Sequence, residues 1–180
     1  MQRSLVLAAA LLVTCGMALA QGDRRQEIDA DAQATLEQLF KVNANAKELY
    51  DRAAGYAVFA ATKAGFIVSG GSGTGVAVNK ATGQRTYMRM GTGGIGLGIG
   101  AQRYSMIILF EEASQLERFT QGGWDSSATA QAAAGRDGVA VRSSFIDGIA
   151  IFQLTDKGLM AHADISGTRF WPIEELNRAQ

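Results

Sequence analysis

The chain has 180 residues, 47% of them hydrophobic and 19% charged, which fits one globular domain with a real core and excludes a disordered polymer. Its 17 basic residues balance 17 acidic ones. Without a global positive field it cannot collect the many phosphate contacts on which nucleic-acid affinity rests, so DNA and RNA are excluded as partners.

The first segment differs from the rest. Arg3 supplies a short positive start, Leu5 to Val13 form an apolar run, and Ala18-Leu19-Ala20 offers a small-x-small cleavage pattern. Together they read as a signal peptide over residues 1–20, with 21–180 as a single domain. The apolar run falls short of the roughly twenty residues that span a bilayer. Periplasmic or secreted placement is the expectation. The alternative is a lipoprotein anchored through Cys15, the single cysteine, since Leu12-Val13-Thr14-Cys15 loosely matches a lipid-attachment box. Cleavage after Ala20 would remove that cysteine, and with it any disulfide.

From Ile28 the pattern is helical. Ile28, Ala32, Leu36, Leu39 and Phe40 make one apolar stripe, and Ala46, Leu49, Tyr50 and Ala53 make a second. Asn45 with Glu48 resembles a capping box, and Gly55 is placed to end the second helix. After Gly55 the period becomes two. Strands are expected over 56–60, 65–69, 74–80, 84–90, 94–100 and 104–110, the last apolar enough to be buried on both faces. Ala81-Thr82-Gly83 reads as a hairpin turn. A helix follows over Glu111 to Thr120, with Leu116 and Phe119 on one face. Further strands are expected near 126–134, 148–154 and 159–170, with a turn at Asp156-Lys157-Gly158. Pro172 suits the first position of a final helix to Asn177.

Twelve of the 22 glycines lie between Gly65 and Gly100. Gly71, Gly73 and Gly75 alternate, as do Gly94, Gly96, Gly98 and Gly100, so each run gives a strand one face without side chains. Glycine weakens a strand, and its repetition points to a bend or a close approach of backbone or ligand. Gly91 to Gly96 also spells G-x-G-x-x-G. That fingerprint needs a helix to start within it, whereas strict alternation here continues.

No catalytic arrangement stands out. His162 is the single histidine, and neither a nucleophile elbow nor a phosphate loop occurs. Asp147 and Asp164 carry no spacing that pairs them, and Asp125-Ser126-Ser127 is equally unspecific. The expectation is a protein that is not an enzyme, with no metal and no cofactor.

Lys63 to Val76, the stretch KAGFIVSGGSGTGV, resembles the signature of the SYLF (Ysc84-like) family. Ile95 to Gln102, the strand Met106 to Phe110, Gly123-Trp124, Leu154 to Leu159 and Ile165 to Phe170 resemble its later segments, in order. The likeness covers roughly Ala30 to Trp171. It implies an α+β fold dominated by an antiparallel, barrel-like, glycine-rich β-sheet, with two N-terminal helices and one or two further helices. It implies no catalysis, binding to membrane lipid (phosphoinositides in eukaryotic members), and actin binding in fungal ones. Actin binding is not expected here, because an exported bacterial protein meets no actin. Eukaryotic members use a basic N-terminal segment on membranes, whereas Gln21 to Phe40 carries Arg24 and Arg25 against Asp23, Glu27, Asp29, Asp31 and Glu37. Anionic lipid would repel that segment.

Three functions are open. In the first, anionic phospholipid headgroups bind a strand face carrying Arg85, Tyr87 and Arg89, joined by Lys80 and Arg103, with Tyr87 at headgroup depth. Each charge near such a surface contributes about 1 kcal/mol. In the second the chain is a structural or protein-interaction module of the envelope. In the third it carries a small apolar ligand inside the sheet.

Overall fold

The computed structural model describes residues 2–65, 68–95, 100–122, 144–155, 158–159 and 167–178. Four helices occur among them: α1 (Gln2–Val42), α2 (Ala44–Arg52), α3 (Ala113–Thr120) and α4 (Glu174–Asn177). Seven strands form one antiparallel sheet: β1 (Gly55–Gly65), β2 (Val68–Asn79), β3 (Arg85–Ile95), β4 (Gly100–Phe110), β5 (Ile149–Thr155), β6 (Gly158–Leu159) and β7 (Thr168–Pro172). Their order is β6-β5-β4-β1-β2-β3-β7. The α+β architecture expected from the sequence is therefore present, and among the described residues the sheet is open, with β6 and β7 at its edges, rather than a closed barrel.

The helical stripe that begins at Ile28 belongs to α1, which is continuous from Gln2. From Gln21 onward no described helix is long and apolar enough to cross a membrane. Ile28, Ala32, Leu36 and Leu39 are buried, as their spacing requires. Asn43, rather than Asn45, caps α2: its extended backbone leaves the helix and its side chain accepts from the Ala46 amide at 3.1 Å. Gly55 does not end α2, which stops at Ala53 in extended conformation. Gly55 instead opens β1, where a side-chain carbon would meet Leu116 and the Val78 carbonyl.

The glycine-rich segments extend strands and do not form separate ones. The expected strand at 65–69 straddles the end of β1 and the start of β2, which pair as a hairpin with Gly65 opposite Ser69. The expected strand at 94–100 is divided between the end of β3 and the start of β4. Gly94 and Gly100 thus lie in strands, while Gly96 and Gly98 fall outside the described residues. The turn at Ala81 to Gly83 is present: Gly83 has φ +73° and donates to the Asn79 carbonyl at 2.8 Å. The strand expected near 126–134 lies outside the described residues. The one expected at 159–170 is two, since β6 pairs with β5 and β7 with β3 at opposite edges. Pro172 closes β7 rather than opening a helix, which suits an edge strand because proline has no amide hydrogen to donate.

Two apolar clusters sandwich the sheet. On the outer face Val58, Val76, Tyr87, Ile107 and Phe152 pack against α1, α2 and the segment around Ile173 and Leu176. On the inner face Phe59, Met88, Met90, Met106, Phe110 and Phe119 are all fully buried. Strand β4 serves both, and Met106 to Phe110 are wholly inaccessible. The inner face is strongly curled. Phe59 on β1 and Phe170 on β7 have ring centroids 5.0 Å apart, although three strand spacings of about 4.8 Å separate their strands along a flat sheet. Gly71, Gly73 and Gly75 lie on this face, opposite Lys63, Ala61 and Phe59. A side-chain carbon on Gly73 would come within 2.5 Å of the Ala60 carbonyl, and on Gly71 within 2.8 Å of the Thr62 carbonyl. Bare α-carbons are what permit the curl.

Candidate functional site

The outer face changes character along its length. Near α2 its positions are Val58, Val76 and Val78; toward the other end the same alternation gives Ala60 and Thr62 on β1, and Thr74 and Ser72 on β2. Helix α1 crosses this polar end with Asp31, Thr35 and Gln38. Between helix and sheet lies an open groove of about 680 Å³.

The strand register lays out its floor. Arg89, Thr74, Ala60 and Ser105 stand side by side across β3, β2, β1 and β4. The next row on the same face holds Ser72, Thr62 and Arg103. Two arginines therefore flank four hydroxyls, one from each side. Thr35 of α1 donates to the Ser105 hydroxyl at 3.4 Å, joining the helix to the floor. Neither Arg89 nor Arg103 forms an ion pair with another described residue, and Asp31 is the carboxylate that shares the lining. Guanidinium groups beside serine and threonine hydroxyls are donors suited to a phosphate or another oxyanion, and Asp31 adds an acceptor for an ammonium or a hydroxyl.

The five residues expected on one basic face fall into three places. Arg89 and Arg103 both line the groove, from opposite sides. Arg85 is exposed and pairs with Asp29 of α1 at 3.4 Å. Tyr87 does share a face with Arg85 and Arg89, but it is only 3% exposed, so it cannot sit at headgroup depth. It donates its phenol hydrogen to Asp29 at 3.1 Å. Burial, and then the Asp29 carboxylate, push its pKa above the ordinary tyrosine value. Lys80 is engaged at the end of α2, where its ammonium donates to the Tyr50 and Asp51 carbonyls at 2.6 and 3.1 Å and lies 4.6 Å from the Tyr50 ring centre. His162, Asp164 and Trp124 lie outside the described residues.

The groove residues that sequence reasoning passed over are Asp31, Thr35, Gln38, Thr62, Ser72, Thr74 and Ser105. Their signal was available in part. Thr62, Thr74 and Ser105 each continue an apolar alternation with a hydroxyl, which marks where a strand face turns polar. That α1 would cross this end could not be read from periodicity.

A curled, glycine-lined antiparallel sheet clasped by a long helix, with an oxyanion-suited groove between them, defines an α+β binding module. A family model described as Ysc84, Las17-binding protein actin regulator, matches residues 91–180. Beta cell expansion factor A of Aeromonas veronii is 36% identical over 154 residues, covering 86% of this chain and 59% of that protein. The chain belongs to the Ysc84 (SYLF) family, which is associated in general with lipid binding. It spans about three fifths of the length of the relative it matches.

Proposed function

We propose that this chain is a non-catalytic protein of the bacterial envelope, exported through residues 1–20, that engages anionic phospholipid headgroups peripherally through the groove under α1. The observation that carries the reading is the placement of Arg89 and Arg103, without ion-pair partners among the described residues, on either side of the hydroxyls of Thr62, Ser72, Thr74 and Ser105. Family membership supports lipid binding in general, and the groove supplies a phosphate-suited place for it.

The test is cosedimentation with phosphatidylglycerol or cardiolipin vesicles at low salt, against phosphatidylcholine. Two arginines at roughly 1 kcal/mol each correspond to about a thirtyfold change in affinity. The Arg89→Glu, Arg103→Glu double variant should lose at least that much, while Arg85→Glu stays near wild type. Equal binding by the double variant would sink the groove as the site. Crosslinking that retrieves one specific envelope protein, with vesicle binding absent, would favour the interaction-module reading instead. A carrier of apolar ligand gains less support, because the described groove is polar and lies on the face opposite the packed phenylalanines and methionines.

A further inference from the structure

The edge of the sheet beside the groove carries a feature that headgroup binding alone does not use. Trp171 on β7 is 41% exposed and, with Val42, is one of two exposed large apolar side chains among the described residues. It points to the outer face, while its neighbour Phe170 is buried on the inner one. Trp171 stands opposite Arg89 in the β3–β7 ladder, and Arg169 stands opposite Gly91. A side-chain carbon on Gly91 would come within 3.0 Å of the indole, so the ring lies close across β3 at a position that carries no side chain. The outward positions of this ladder are thus Arg89, Gly91, Arg169 and Trp171, with no carboxylate among them. Arg169, like Arg89, has no ion pair among the described residues.

We infer that the β3–β7 edge is the face that meets an anionic phospholipid bilayer, with the Trp171 indole in the interface and Arg89 and Arg169 on phosphates either side of it. The inference rests on the proposed headgroup binding and adds the orientation. An indole has an apolar body and one N–H donor, which favours the boundary between headgroups and acyl chains. Flanking guanidinium groups supply charge complementarity to that surface and carry none of their own desolvation into the acyl layer. The face is continuous with the groove because Arg89 belongs to both. A headgroup held in the groove and an indole seated in the adjoining interface are therefore compatible with one bilayer plane.

The chain has two tryptophans, so a Trp124→Phe variant isolates Trp171 emission. On phosphatidylglycerol vesicles that emission should shift to the blue, lose its quenching by iodide and be quenched by lipids brominated near the carbonyl end of the chains. Trp171→Ala and Arg169→Glu should each weaken vesicle binding roughly tenfold. If Trp124→Phe does not fold, the same signal is read as the difference between wild type and Trp171→Phe. Vesicle binding with Trp171 still open to iodide would overturn this orientation and leave the groove reading standing. An equal blue shift on phosphatidylcholine would overturn the role of the two arginines. No binding to any vesicle would sink the groove reading and this inference together.

Discussion

Gly75 faces the carbonyl oxygen of Val58 so closely that no side-chain carbon fits between them, and the Phe59 ring closes the same space. A methyl group there must push backbone rather than a flexible side-chain end. Gly75→Ala should therefore destabilise the fold by about 1–3 kcal/mol, the usual range for overpacking. Gly70→Ala, on the outer face with nothing within 4 Å, should stay within about 0.5 kcal/mol of wild type. Urea unfolding of the two variants checks this, and equal losses would remove the argument that bare positions set the curl.

Tyr87 ties α1 to β3 through its bond to Asp29. A hydrogen bond to a charged acceptor contributes roughly 1.5–3 kcal/mol when protected from water. Asp29 is a third exposed, so Tyr87→Phe is expected to cost about 1 kcal/mol, below that range because solvent screens the carboxylate. A cycle with Asp29→Asn should show coupling of the same order. Additive losses in the double variant would mean that the two groups do not depend on each other.

Lys80 donates to the last carbonyls of α2, where a cation is favoured by the helix dipole. Lys80→Met keeps the aliphatic stem over Tyr50 and removes the charge. The expected loss is about 0.3–1 kcal/mol, shrinking as salt is added. Binding to anionic vesicles should change little, because this ammonium lies with α2 and not in the groove. A loss of vesicle binding as large as that of the Arg89, Arg103 double variant would contradict this placement.

Tyr56 is pushed up to about 12, first by burial and then by the neighbouring Tyr50. The folded chain holds the neutral phenol more tightly than the unfolded chain, whose tyrosines ionise near 10. That contribution is complete below pH 10 and is lost as pH rises from there through about 12. Absorbance of tyrosinate at 295 nm should show Tyr56 ionising about two units late, returning to the ordinary value in denaturant. Tyr56→Phe should remove its share of the late ionisation, leaving that of Tyr87, and lessen the loss of stability in that alkaline window.

Periodicity disclosed which residues share a face but not what covers it. Arg85, Tyr87 and Arg89 do point the same way, yet α1 and the segment after β7 bury the middle of the three, leaving Arg85 exposed and Arg89 half-buried in the groove. A polar-flanked tyrosine looks exposed in one dimension, and only the helix crossing makes it core. The glycine ladder at Gly71, Gly73 and Gly75 was legible as a need for close approach, and the Val58, Ala60 and Thr62 carbonyls supply that need. Strand limits were harder, because glycine runs interrupt the apolar period without ending a strand: β2 continues unbroken from Val68 to Asn79. The stretch from Leu159 to Phe170 alternates without declaring that its two ends belong to opposite edges. The two cations of the groove, Arg89 and Arg103, were visible. The hydroxyl floor was legible only as strand faces turning polar at Thr62, Thr74 and Ser105, and the register is what brings those positions side by side.

Tyr87 is gripped from two directions in time as well as in space. Asp29, 58 residues earlier, holds its side chain, and Asn177, 90 residues later, bonds its amide and carbonyl at 2.9 Å each. Ile173 adds a further amide to the same carbonyl. Pairing β1 to β4 alone leaves those two backbone groups of β3 without these partners, which arrive with the segment after β7. Such distant partners slow closure, because the connecting chain loses its freedom before the contact forms. Strand β3 is thus secured at Tyr87 only once segments on both sides of it in the chain have docked.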